Sequence, residues 1–345
     1  MNIQTRLRPL APFFIAACLA PAIAVATPVS AQTAPTTQTV SSNVTNGPRG
    51  RLFVLTVGAG AFNDSAVRGL PVSMRDADDV AYALKAQNKT GLYTSVAART
   101  VTGKAATRQG VRDALQWLKG NVGANDVAVI FVSGHKIVDS ELNPRLLTAD
   151  VKTDSVGMMR ATSLSVGEIQ TLAQDLPGKT LLLLDLSHGS PVNDLPENLF
   201  AITPKKPKMI TRSFSRLGTM RLGQATGQLR TLYSATGNEV SRTTKPSGNS
   251  VFATAILQEI SRPTPPGEVP VTANALLESV TKRVTQATDG QQTPFIEDTE
   301  ARPVDYPVAV PVPLAQPAPN KPAGKPASKP TSKAGQPSKA TRPVS

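Results

Sequence analysis

Residues 125–135 read NDVAVIFVSGH, and residues 178–188 read GKTLLLLDLSH. Each is a nearly continuous apolar run, Val127 to Val132 in the first and Leu181 to Leu184 in the second, closed by a histidine. Apolar runs without polar alternation suit strands buried on both faces, and such strands belong to parallel sheets covered by helices. Leu52 to Val57 is a third run of this kind, while Ser95 to Val101 and Leu229 to Tyr233 are weaker candidates. Between the runs, Met74, Ala77, Val80, Ala81 and Leu84 recur at helical spacing, as do Val111, Ala114, Leu115 and Leu118. Ser165 and Glu168 form a capping-box pattern that opens a helix through Ile169, Leu172 and Ala173. Two more helices fit Ser250 to Ile260 and Thr272 to Ala287. The alternation predicts a three-layer α/β fold, a mainly parallel central sheet with helices on both faces.

In such sheets, ligand sites form beyond the carboxyl ends of the strands. The three runs end in Gly58-Ala59-Gly60, Ser133-Gly134-His135 and Asp185-Leu186-Ser187-His188, so both histidines are expected at one edge of the sheet. The chain has only these two histidines, and its single cysteine is Cys18. A histidine after one strand and a small residue after another suit a base and a nucleophile that meet in space. Each histidine taken alone also has a plain structural reading.

These residues resemble the caspase, metacaspase and paracaspase superfamily of cysteine peptidases, which commonly show SGHG after one central strand and DACHSG or DSCHSG after the next. The resemblance runs from about Arg51 to Glu297. It takes in VGAGAFNDSAVRGLPVSMRDADDVAYAL, TRQGVRDALQWL, LLTAD, LYSATGNEV, NSVFATAIL and QQTP, in the family's order. It implies a caspase-like fold in which His135 is the base and position 187 the nucleophile. Backbone N–H groups around Gly134, Lys136 and Ser187 would then hold the oxyanion. It also places Asp76 and Asp185 where metacaspase-like members line a pocket for a substrate Arg or Lys. Asp76 as a helix N-terminal acid and Asp185 as a strand-end cap are the plainer readings of the same residues.

Three departures fall inside the motifs: Ser187 stands for cysteine, Lys136 for the glycine after His135, and Gly189-Ser190 inverts the usual Ser-Gly. A thiol is readily ionised by a neighbouring imidazole, whereas a serine hydroxyl needs a well-oriented base, commonly supported by an acid. Lys136 restricts backbone that a glycine leaves free, and losing one oxyanion donor costs about 10²-fold. The sequence therefore reads as a pseudoprotease whose cleft binds a protein or peptide. Two other readings stay open. One is a weak endopeptidase using Ser187 and His135 with Arg or Lys preference; the other is an envelope structural protein acting through a basic tail.

Length and charge set the remaining bounds. The 345 residues, 40% hydrophobic but with 30 prolines and 4% aromatics, suit one domain with flexible ends. Residues 1–31 carry Arg6 and Arg8, an apolar stretch from Leu10 to Val25 and a small-x-small site at Val29-Ser30-Ala31, the pattern of a secretory signal peptide. A membrane anchor and a lipid-attachment box at Cys18 are the alternatives for that segment. Cleavage there leaves an exported, periplasmic or extracellular chain without cysteine, so packing rather than disulfides must stabilise it. Residues 32–49 read as a linker, 50–302 as the domain and 303–345 as a Pro, Ala and Lys-rich solvated tail.

The net charge is +13. Lys205, Lys206, Lys208, Arg212, Arg216, Arg221 and Arg230 lie together without an acid among them, in a long loop expected over about residues 190–228. That segment reads as a solvated loop, a protease-sensitive stretch or a dock for an acidic partner, and the tail as a contact for anionic envelope polymers. Export and the scarcity of interleaved aromatics argue against nucleic acid. No metal-ligand cluster or cofactor fingerprint is present; Gly58-Ala59-Gly60 lacks the third glycine of a dinucleotide site.

Overall fold

The computed structural model describes residues 49–139, 143–187, 227–236, 239–244, 248–263, 269–298, 300 and 303–313. The central sheet has the order β2-β1-β3-β6-β7-β9. Its strands are β1 (Leu52–Ala59), β2 (Val96–Thr102), β3 (Val127–Val138), β6 (Lys179–Ser187), β7 (Gln228–Tyr233) and β9 (Phe295–Asp298). All pairings along this path are parallel except that of the edge strand β9, which runs antiparallel to β7. β4 (Pro144–Leu146) and β5 (Leu164–Ser165) branch antiparallel from the end of β3.

Helices cover both faces because both faces are apolar. On one, Val54, Val129, Phe131, Leu183 and Leu232 pack with α1 (Pro71–Lys85), α5 (Val251–Ile260) and α6 (Ala273–Ala287) through Val80, Leu84, Phe252, Ile256 and Val280. On the other, Leu55, Val57, Ile130, Leu182 and Leu184 pack with α2 (Arg108–Asn121) and α4 (Val166–Gln174) through Val111, Leu115, Leu118 and Ile169. α3 (Val156–Thr162) lies between β4 and β5 in the chain. Pro71 opens α1, where a missing N–H costs nothing. Gly60 lets the start of α1 close onto the end of β1, since a Cβ there would lie 2.1 Å from the Leu70 carbonyl oxygen. Among the described residues no helix is long and apolar enough to cross a membrane.

The three-layer α/β arrangement with a mainly parallel sheet is the expected one, but four local expectations change. First, β3 does not stop at His135: it continues to Val138, because Lys136–Val138 leave β6 and pair with β4. Second, the capping box does not form: Ser165 makes no side-chain cap bond to α4, and Glu168 pairs with Arg112 of α2 at 2.5 Å. Third, Arg230 is not part of a solvated basic loop. It is buried in β7 and holds Asp298 through two nitrogens, at 2.8 and 3.1 Å.

The fourth change concerns residues 303–313, expected in the tail, which form a packed strap. β10 (Pro307–Ala309) pairs antiparallel with β8 (Val271–Thr272), and Tyr306, Val308 and Ala309 are buried. The buried Gln87 amide donates to the Val310 carbonyl at 2.9 Å and accepts from its N–H at 2.8 Å. The Tyr93 hydroxyl lies 2.9 and 3.0 Å from the carbonyls of Pro307 and Val308. Prolines do not bar this strand, because an edge strand leaves one row of N–H groups unneeded and tolerates proline there. Residues 1–48, the Lys205–Arg221 part of the basic segment and the tail from 314 lie outside the described residues.

Candidate functional site

The last register pair between β3 and β6 is His135 opposite Ser187, and two residues back Ser133 stands opposite Asp185. Residues two apart on a strand share a face. His135 and Asp185 therefore lie on the face carrying Phe131 and Leu183, the one covered by α1 and α5. His188 follows the last described residue of β6 and lies outside the described residues.

The His135 imidazole is 4% exposed. Its Nε2 lies 2.9 Å from the Arg68 carbonyl oxygen, which can only accept, so Nε2 carries the proton and Nδ1 of the neutral ring carries the lone pair. Nδ1 has no hydrogen-bond partner among the described residues. Phe62 stacks on the ring with centroids 5.8 Å apart and planes 26° apart. Burial lowers the pKa of His135; the bond to the Arg68 carbonyl opposes this in part, and the Arg68 charge adds to it. The result is a neutral imidazole oriented by a backbone carbonyl and an aromatic ring, with its basic nitrogen buried and unbonded among the described residues.

Lys136 alternates away from His135 to the other face. It is 5% exposed, and burial pushes its amine down to about 7. Its backbone belongs to the β3–β4 ladder opposite Leu146, and no residue of β3 has a positive φ, so the lysine sits there without backbone strain. The restriction expected from replacing a glycine is therefore not expressed as strain at this position. Gly134 is opposite Leu186 on one side and Ala59 on the other.

Asp76 on α1 and Asp185 on β6 are both buried. Asp76 Oδ1 accepts the N–H of Ser250, the residue that caps α5, at 3.0 Å. Asp76 Oδ2 has no partner among the described residues. Asp185 Oδ1 accepts the Ser241 hydroxyl at 2.5 Å. Burial, and then the Asp185 charge, push Asp76 up to about 7; burial raises Asp185 despite its hydroxyl donors. Two buried carboxyls in mutual repulsion hold a proton near neutral pH. The structure thus brings together His135, position 187, Asp76 and Asp185 at one sheet edge. It adds Arg68, Phe62, Ser241 and Ser250, which sequence reasoning missed. A backbone carbonyl leaves no mark in a sequence, and the two serines lie far from the histidine motifs.

A caspase-domain family model matches residues 51–304. The chain belongs to the caspase-domain family. Among solved structures, the protein GSU0716 from Geobacter sulfurreducens is 16% identical, covers 73% of this chain and 93% of its own, and superposes with a TM-score of 0.47. Caspase-1 from Spodoptera frugiperda is 12% identical, with 75% and 92% coverage and a TM-score of 0.45. No functionally curated protein matches the chain in sequence.

Proposed function

We propose that this caspase-domain protein is a pseudoprotease: Ser187 occupies the nucleophile position, hydrolysis has been lost, and the cleft binds a protein or peptide. The observation that carries the reading is the partner of His135. When a serine attacks, its proton passes to the imidazole, and the imidazolium so formed is stabilised in serine hydrolases by a buried acid. Here the distal nitrogen meets the neutral Arg68 carbonyl, and burial already disfavours the charged ring. A cysteine tolerates that setting because its thiol ionises far more readily than a hydroxyl.

Asp76 and Asp185 supply the recognition chemistry in this reading. A substrate Arg or Lys entering beside them would displace the Ser241 hydroxyl and favour both carboxylates, so binding would release a proton. The test uses residues 32–345 with fluorogenic peptides ending in Arg or Lys, alongside Ser187→Cys and Ser187→Ala. The expected result is no turnover by the parent or Ser187→Ala, with binding of the Arg peptide that Asp185→Asn weakens. Turnover by the parent that Ser187→Ala abolishes would instead make the protein a serine-using peptidase.

A further inference from the structure

We infer that Asp64 and Thr153 form a clamp that positions the His135 imidazole, acting through the loop that presents the Arg68 carbonyl; the inference deepens the reading of His135 as the remnant base. Arg68 lies on residues 60–70, between β1 and α1, and its own side chain is solvent-exposed. What fixes its carbonyl is therefore the loop. The base of the loop is closed by the Leu70 N–H donating to the Gly60 carbonyl at 2.9 Å. Its far side is tied to residues 149–153, with the Asn63 N–H on the Ala149 carbonyl at 2.8 Å.

Asp64 makes the second tie. Its Oδ2 accepts both the N–H and the hydroxyl of Thr153, at 2.8 and 2.6 Å, and its Oδ1 accepts the Ala66 N–H at 2.9 Å. Partial burial acts to raise its pKa, but the donors of Thr153 and Ala66 hold it below the ordinary carboxylate range. One carboxylate thus shapes the turn that leads to Arg68 and pins that turn to the neighbouring segment. Beneath it, Val67 is buried with Ile137, Leu147, Val151 and Met159, and Phe62 packs against the same cluster while stacking on His135. Releasing the clamp frees both groups that hold the ring, the Arg68 carbonyl and Phe62, although neither clamp residue is among the groups bonded to His135.

The test follows the Nε2 proton of His135. The chain has two histidines, so imidazole ¹⁵N labelling gives two ring systems, and His188→Gln assigns them. In the parent at neutral pH the buried, carbonyl-bonded Nε2 proton should be visible and slow to exchange. Asp64→Ala should speed its exchange at least about tenfold, the factor that one hydrogen bond to a charged group is worth. Thr153→Ala, which removes one hydroxyl, should act in the same direction, and Thr153→Ser should restore the parent rate. Backbone amides of β7 and α6 should exchange as in the parent, which separates positioning from general loosening. An unprotected Nε2 proton in the parent, or parent-like exchange in both alanine variants, overturns the inference. Peptidase activity plays no part in the readout, so failure of the pseudoprotease reading and failure of the clamp are distinguishable.

Discussion

Gly134, the residue before His135, has two rival explanations that a double-mutant cycle separates. The family resemblance assigns it to an oxyanion hole. The structure shows that a Cβ at position 134 would lie 2.7 Å from Leu146 Cδ1, 3.1 Å from Ala59 Cβ and 3.2 Å from the Ala59 carbonyl oxygen. Gly134→Ala therefore overpacks the junction of β1, β3 and β4, at a cost of about 1–3 kcal/mol. Leu146 is fully buried, so Leu146→Ala alone leaves a cavity and costs about 2–5 kcal/mol. The closest clash is with the atom that Leu146→Ala deletes. The double variant should accordingly be more stable than the sum of the single losses by at least about 1 kcal/mol, beyond the scatter expected for independent sites. Urea unfolding followed by circular dichroism, with a shared slope for all four proteins, measures the term. Additive losses would refute the packing account of this glycine.

Other consequences are open to measurement. Asp76→Asn should flatten the pH dependence of stability between about pH 4 and 7. A folded carboxyl raised to about 7 stabilises the fold below the ordinary carboxylate range, and that contribution fades as pH rises toward 7. Comparing urea midpoints of parent and variant at pH 5 and pH 8 decides this, and an unchanged difference between them counts against a shared buried proton. A chain ending at residue 302 should be less stable than one ending at 313 by at least about 2 kcal/mol, the transfer value of a buried side chain such as Val308; equal midpoints would mean that the strap is dispensable. Arg230→Ala should cost about 3 kcal/mol by leaving Asp298 without its guanidinium, and the Arg230→Ala/Asp298→Ala pair should recover part of that loss.

The long elements were legible because burial on both faces removes polar residues from whole strands, as in Val127 to Val132 and Leu181 to Leu184. Helices α1, α2 and α6 announced themselves by one apolar stripe each, and α5 by an apolar run behind Ser250. The short strands β4, β5, β8 and β10 were not legible, since two or three residues carry no periodicity and are defined by what they pair with. The strap shows the same limit: composition around Pro303, Pro307 and Pro311 spoke of solvent, while Tyr306, Val308 and Ala309 between them are buried. At the candidate site, His135, position 187 and the two acids could be read from motif order. The partner that sets the proton on His135 could not, because it is a peptide carbonyl.

His135 stands where β3 forks, facing β6 on its last shared rung while Lys136, the next residue, already belongs to the pair with β4. A histidine on a strand junction is aimed by the same ladder bonds that fold the domain. A side-chain change at position 187 removes none of those backbone bonds, so selection for folding alone holds the His135 backbone in place whatever position 187 carries. On the pseudoprotease reading proposed above, the consequence for an engineer is practical: the socket and the reagent are encoded by different residues, and only the second would have to be rebuilt.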